Sequence, residues 1–205
     1  MKVIDSKMKC ICIGCGASLI GFDFSRIDDP YIETIGTNYI MQYYPKVKAC
    51  VFLDQEFFEV NEELIKNYNG TIWAHDRAIP KDYDNSRLVR FYTKQWLTDL
   101  EDKEHVDQYG QKFPVFLGRL SGLTAIHIAI HIGCDEIYLL GYDMKGGHIY
   151  NPDLLLHKDD NQFRKTMARF QFFKDMQDQY GYKIFNCNPD SAIDIFPFVK
   201  LEDVL

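Results

Sequence analysis

The chain has 205 residues, a hydrophobic content of 46%, an aromatic content of 15% and a formal net charge of −7. That much apolar and aromatic material argues against an intrinsically disordered chain, and the negative balance argues against an extended nucleic-acid surface, so a small anionic ligand is easier to defend than a polymer. No linker or low-complexity run divides the sequence, and residues 1–205 read as one domain long enough to bury a core.

The opening MKVIDSKMKCICIGCG carries charges around a short apolar run, too short for a secretion signal or a transmembrane segment, so a cytoplasmic chain is expected. The six cysteines, Cys10, Cys12, Cys15, Cys50, Cys134 and Cys187, sit mainly in apolar strand-like runs. Buried reduced thiols fit that placement better than a disulfide framework. Metal-ligand spacing is only loosely approached by Cys10, Cys12 and Cys15, because strand alternation puts two on one face and the third falls in a glycine turn.

Residues 8–13 read as a first strand running into Gly14-Cys15-Gly16-Ala17-Ser18, a glycine-rich turn whose backbone can approach a ligand and whose Ser18 can offer a hydroxyl. A full dinucleotide fingerprint would need a third glycine and an acidic residue closing the second strand, and both are missing. Residues 31–35 are the second strand and 49–53 the third, with a helical turn over 39–44 ended by Pro45. Asn38 can donate and accept, as reading a nucleobase edge or a sugar hydroxyl requires, and an ordinary turn asparagine would look the same. Asp54 and Glu56 offer carboxylates to a metal, or a solvated acidic turn. A helix over 62–68 and strands over 70–74 and 87–92 extend the sheet. Residues 93–112 are polar and weakly periodic, as in a surface subdomain or an acceptor-side loop.

The stretch from Gly118 to Asp143 organises the rest. Residues 123–132 are apolar nearly all round, predicting a helix covered on both sides, with Ser121 as N-cap and Gly133 at its end. His127 and His131 share a face at zinc-pair spacing, yet no glutamate follows His127 and no third ligand is evident, so they read as packing histidines. Residues 136–142 form a strand buried on both faces, ended by Asp143. In a βαβ unit the helix start and the strand ends share one edge of the sheet. Ser121, Gly122 and Asp143 therefore face a common crevice suited to an anion.

Gly146 and Gly147 make a hinge, and 145–160 a lid carrying His148, Tyr150 and His157, where a histidine can act as general base near neutral pH. Residues 161–180 show the clearest amphipathic helix, with Asp160 as cap and Gly181 as stop, and its aromatic stripe belongs to the core. A last strand over 183–187 ends in Asn188-Pro-Asp-Ser191, and the tail packs back on the domain. The alternation predicts an α/β protein: a single Rossmann-like domain with a mostly parallel sheet, helices on both faces and a lid after Asp143.

Gly14-x-Gly-x-Ser18-Leu19, Asn38 after the second strand, Arg119-Leu-Ser121-Gly122 opening an apolar helix, the run from Gly133 to Asp143, and Cys187-Asn-Pro-Asp-Ser191 together resemble the bacterial sialyltransferases of glycosyltransferase family 42. They also look like the related DUF115 group, which includes archaeal 6-hydroxymethylpterin pyrophosphokinases. The resemblance covers most of the chain and is strongest from Arg119 to Asp143. It implies a CMP-type nucleotide-sugar donor, a hydroxyl acceptor, no required metal or other cofactor, and a lid histidine as base. Carried over, Gly14, Gly16 and Asn38 bind the nucleotide, with Cys15 and Ser18 in the same turn. Arg119, Ser121, Gly122 and Asp143 lie at the phosphate and donor-sugar edge. His157 is the base, with His148 second, and Lys145 and Tyr150 stand where the family has two phosphate-stabilising tyrosines.

Cys15 replaces the family's usual asparagine, and Lys145 replaces the first tyrosine, so the donor need not be CMP-sialic acid. Two alternatives stay open. One is Mg²⁺-dependent pyrophosphoryl transfer to a pterin-like alcohol, with Asp54, Glu56 and Asp143 on the metal. The other is a nucleotide-binding module without turnover. Self-association into a homo-oligomer is also left open.

Overall fold

The computed structural model describes residues 7–91, 105–106, 112–113, 120–153 and 160–205, with backbone alone for 105–106, 112–113 and 160–164. Seven parallel strands form the main sheet: β1 (Lys9–Ile13), β2 (Glu33–Thr37), β3 (Ala49–Phe52), β4 (Thr71–His75), β5 (Leu88–Phe91), β8 (Glu136–Leu140) and β9 (Lys183–Asn186). The pair β6 (His105–Val106) and β7 (Lys112–Phe113) makes a separate two-stranded antiparallel ladder. Among the helices, α1 (Ile40–Tyr43) is a single turn, and α2 (Gln55–Asn67), α3 (Ser121–His131) and α4 (Asp160–Tyr180) are longer.

The strand order is β5-β4-β3-β2-β1-β8-β9. From β1 the chain builds outward through β5, then returns to lay β8 against the other side of β1 and β9 beyond it. The order reverses between β1 and β8, and in open α/β sheets a crevice forms at the carboxyl ends of the strands at such a point. That position follows from topology alone.

Both faces of the sheet are covered, and strand alternation divides the core. Ile11, Ile13, Cys50, Phe52, Tyr138 and Leu140 belong to one buried cluster, whereas Cys10, Cys12, Val51, Ile137 and Leu139 belong to the other. Fully burying one such aliphatic side chain contributes about 1.5–3 kcal/mol, so both layers stabilise the sheet. Helix α3 packs on β1, β2 and β3. Cys10 and Cys12 share its cluster with Ala125 and Ala129, small side chains that allow a helix to approach a sheet closely. All six cysteines are free.

Several boundaries differ from the sequence reading. Helix α2 begins at Gln55, not residue 62, because Phe57 and Phe58 are buried while their neighbours are exposed. A non-helical Asn61, with φ −119° and its Nδ2 donating to the Phe57 carbonyl at 2.8 Å, breaks the period that would have revealed one helix. Asp54 and Glu56 are consequently exposed groups at a helix start. Strand β2 runs on to Thr37. Helix α3 starts at Ser121 with Leu120 in the cap position, so Ser121 is not the N-cap and its hydroxyl is directed elsewhere.

Gly133 and Gly181 follow α3 and α4 with φ of 90° and 75°, as helix-ending glycines do. His127 is buried against the ring of Phe173, and His131 stands edge-on to Trp73, which fits their packing role. The tail returns to the domain: Ile193 and Phe196 enter one cluster and Leu201 and Val204 the other. It also covers the edge of β9, where Asn186 donates to Pro197 and Val199 donates back to Asn186. No helix among the described residues is long and apolar enough to cross a membrane.

Candidate functional site

The glycine turn after β1 is pressed against the segment after β8. Gly14 N donates to Leu140 O and Gly16 N to Gly141 O, both at 2.8 Å. A Cβ on Gly14 would lie 2.5 Å from the Gly141 oxygen, and one on Gly16 would lie 2.5 Å from Asp143 Cγ. These glycines are required first by the contact between two loops. The close backbone approach that the sequence suggested for a ligand is made here to the segment after β8.

Asp143 joins three strand ends. Its Oδ2 accepts from Ser18 N at 2.7 Å, and its Oδ1 accepts from Ser18 Oγ at 2.5 Å and Asn188 Nδ2 at 2.7 Å. Its backbone oxygen accepts from Ala192 N at 2.8 Å. The residue is 5% exposed, and a buried carboxylate needs such donors to offset its lost hydration. Ser18 thereby serves the crevice by holding Asp143.

A cavity of about 210 Å³ opens above this junction. Of the residues singled out in the sequence, Gly14, Cys15, Gly16, Asn38, Ser121, Gly122, Asp143 and His148 all line it. The remaining wall comes from Thr37, Leu120, Gly141, Tyr142, Met144 and Phe170, which the sequence reading had not assigned to the site. Phe170 belongs to the aromatic stripe of α4, and periodicity identifies such a residue as core without saying that it also lines a cavity.

Asn38 follows β2 with φ 47°, in the left-handed region where asparagine is among the better tolerated residues. Its Oδ1 lies 3.1 Å from Ser121 Oγ. The hydroxyl donates to the amide oxygen, leaving the Asn38 NH₂ as the donor available to a ligand. The first turn of any α-helix leaves N–H groups without an intrahelical acceptor; here those of Ser121 and Gly122 begin α3 at the cavity wall. Tyr142 braces this end by donating its hydroxyl to Gly122 O at 2.9 Å. This wall can meet anionic oxygens.

Cys15 Sγ donates to Thr37 O at 3.2 Å. Burial pushes its thiol up to about 11, so it stays protonated at neutral pH.

His148 belongs to a segment laid along the glycine turn. Ala17 N donates to Gly147 O at 3.2 Å, Ile149 N to Cys15 O at 2.8 Å, and His148 N to Asn151 O at 2.9 Å. A Cβ on Gly147 would stand 1.9 Å from Pro152 O, so this glycine permits a tight turn. His148 Nδ1 is 3.3 Å from Cys15 O. A carbonyl only accepts, so that contact places the proton on Nδ1 and the lone pair on Nε2. Burial, opposed by the Cys15 carbonyl and by Asp143, lowers the imidazole below its usual 6.5. A neutral ring at pH 7 follows.

Tyr150 stacks on His148, and Lys145 is exposed; neither lines the cavity. Asp54 and Glu56 also lie outside its lining. Among the described residues no group of three or more histidine, cysteine, aspartate or glutamate side chains is placed to hold a metal ion. Arg119, His157 and most of the expected acceptor-side segment fall outside the described residues.

The fold and crevice define a Rossmann-like α/β protein with its site at the switch point of a parallel sheet. Among solved structures it is similar to sialyltransferases. The sialyltransferase CST-II in complex with trisaccharide acceptor and CMP matches with a TM-score of 0.53 and 21% identity over 93% of this chain and 85% of that one. Monofunctional alpha-2,3-sialyltransferase Cst-I from Campylobacter jejuni matches with a TM-score of 0.52 and 15% identity, covering 93% and 80%. CstII from the same organism with a substrate analogue, CMP-3FNeuAc, gives 0.50 and 21%, covering 94% and 85%. No protein-family model and no curated protein matches the chain. At these identities the likeness establishes a shared fold.

Proposed function

We propose that the chain is a glycosyltransferase that moves a sugar, sialic acid-like in the first instance, from a CMP-type donor to a hydroxyl acceptor. The observation that carries this reading is the His148 Nδ1 contact to the Cys15 carbonyl at the cavity wall, because a ring that donates through Nδ1 keeps on Nε2 the lone pair that a general base uses. The shared fold with enzymes crystallised with CMP supports the choice of donor. Asn38 and the first turn of α3 bind the nucleotide and its phosphate by N–H donation. Nε2 removes the acceptor hydroxyl proton as that oxygen forms a bond to the anomeric carbon. The anomeric carbon–phosphate oxygen bond breaks, and the nucleotide leaves with the electron pair.

His148, the second base of the sequence reading, is the base in this proposal, and His157, the first, lies outside the described residues. Arg119 is the cation assigned to the leaving phosphate, with Lys145 able to reach it only from outside the cavity lining, and no metal is needed for this chemistry. A panel of CMP-, UDP- and GDP-sugars and ATP, with and without Mg²⁺, tests the reading by mass spectrometry. Metal-independent transfer or hydrolysis from a CMP-sugar is expected. Mg²⁺-dependent AMP release would favour pyrophosphoryl transfer, and tight binding with no product would leave a binding module.

A further inference from the structure

The imidazole of His148 makes two contacts of different kinds, the Nδ1 hydrogen bond to the Cys15 carbonyl and a stack on the Tyr150 ring. Its ring lies parallel to that of Tyr150, with centroids 4.8 Å apart and planes at 8°. The Tyr150 ring also meets Tyr39 at 4.4 Å and 45°. Tyr39 in turn stands edge-on to Phe57 at 5.0 Å, and Phe57 is buried in the core. Tyr39 directly follows Asn38, the left-handed residue on the cavity wall. A stack therefore runs from the base through Tyr150 to the loop that would contact the nucleotide.

We propose that Tyr150 is a positioning residue: its ring, wedged between Tyr39 and His148, fixes the imidazole plane so that Nδ1 stays on the Cys15 carbonyl, and ties that orientation to the Asn38 loop. This rests on the reading of His148 as the base. A single hydrogen bond leaves an imidazole free to tilt about the bond axis, whereas a stacked face removes that freedom. The role belongs to the ring, because it is the ring that meets both His148 and Tyr39. The groups acting on the imidazole from neighbouring elements are the Cys15 carbonyl of the glycine turn and Asp143 after β8.

The test is long-range ¹H–¹⁵N correlation of the His148 ring, with and without CMP, in wild type, Tyr150→Phe, Tyr150→Leu and Tyr39→Leu. Wild type and Tyr150→Phe should show the Nδ1–H tautomer. Tyr150→Leu should show a tautomer mixture with an apparent pKa moved toward 6.5, and Tyr39→Leu a smaller change in the same direction. In turnover, Phe should rescue kcat over Leu by about ten- to hundredfold, the scale of a misplaced catalytic group, with the donor KM little changed between them. Imidazole signals in Tyr150→Leu identical to wild type would overturn the proposal. So would Tyr150→Phe behaving as Leu does, since that would place the role on the hydroxyl. Should Tyr150→Leu fail to fold, Tyr39→Leu decides on the same signals. The spectra do not depend on turnover, so an active His148→Ala would sink the base reading and leave this outcome separately readable.

Discussion

Ser18 and Asp143 are joined twice across the mouth of the sheet, by Ser18 N to Oδ2 at 2.7 Å and by Ser18 Oγ to Oδ1 at 2.5 Å. With Asn188 on the same carboxylate, the ends of β1, β8 and β9 are fastened to one another. The crevice is built on this junction. Asp143→Ala is expected to destabilise the fold by about 3 kcal/mol, since hydrogen bonds to a buried charge contribute about 1.5–3 kcal/mol each and only part is recovered by water. Urea unfolding measures it, and a change within the noise of the midpoint would show that the carboxylate is not structural.

Gly16→Ala places a methyl group 2.5 Å from Asp143 Cγ, in space already taken by a pinned side chain. The expected cost is about 1–3 kcal/mol, the range for overpacking, together with loss of nucleotide affinity as the cavity wall shifts. Calorimetric titration with CMP alongside thermal melts separates the two effects. Wild-type behaviour in both would mean that the turn yields easily.

Ser121→Ala removes the donor that orients the Asn38 amide. Nucleotide binding should weaken by about 1 kcal/mol, or roughly fivefold in Kd, the net worth of one hydrogen bond. Stability should change little. Equal loss of affinity for a nucleoside lacking phosphate would show that Asn38 reads the nucleoside, whereas loss confined to the nucleotide would place it on the phosphate.

His148 and His75 are both lowered from 6.5, in each case chiefly by burial. The unfolded chain then binds protons more readily than the folded one. Their contribution is fully present above pH 6.5 and is lost as pH falls through 6.5 toward the lower folded-state values. Melting temperature should therefore drop as pH falls from neutrality through 6.5, and His148→Gln with His75→Gln should flatten that slope. An unchanged slope in the double variant would assign the acid sensitivity to other groups.

Much of this was legible in the sequence where a local pattern and a global requirement coincide. The apolar run of α3, the double-sided burial of β8 and the glycine turn after β1 each predict one edge of the sheet, and topology brings them together. Helix α2 reads short in the sequence because Asn61 interrupts its period. Ser121 reads as a cap because a cap serine and a first-turn serine share the same sequence context; only the approach of Asn38, 83 residues earlier in the chain, distinguishes them. Phe170 and Tyr142 were hidden for a similar reason, since a side chain that both fills the core and edges a cavity has the periodicity of core alone. The orientation of His148 depends on the Cys15 carbonyl, and no spacing rule encodes a backbone oxygen.

The most direct test of the account is the pH profile of CMP release from a CMP-sugar in the presence of hydroxyl acceptors, for wild type and His148→Ala. Wild type should show a rate rising with pH through a value below 6.5 and level at neutrality, because Nε2 must be unprotonated to act. His148→Ala should lose about 10²- to 10⁴-fold in kcat and that acidic limb with it, while still binding CMP. Full turnover in His148→Ala with the limb intact would contradict the assignment of His148 as the base.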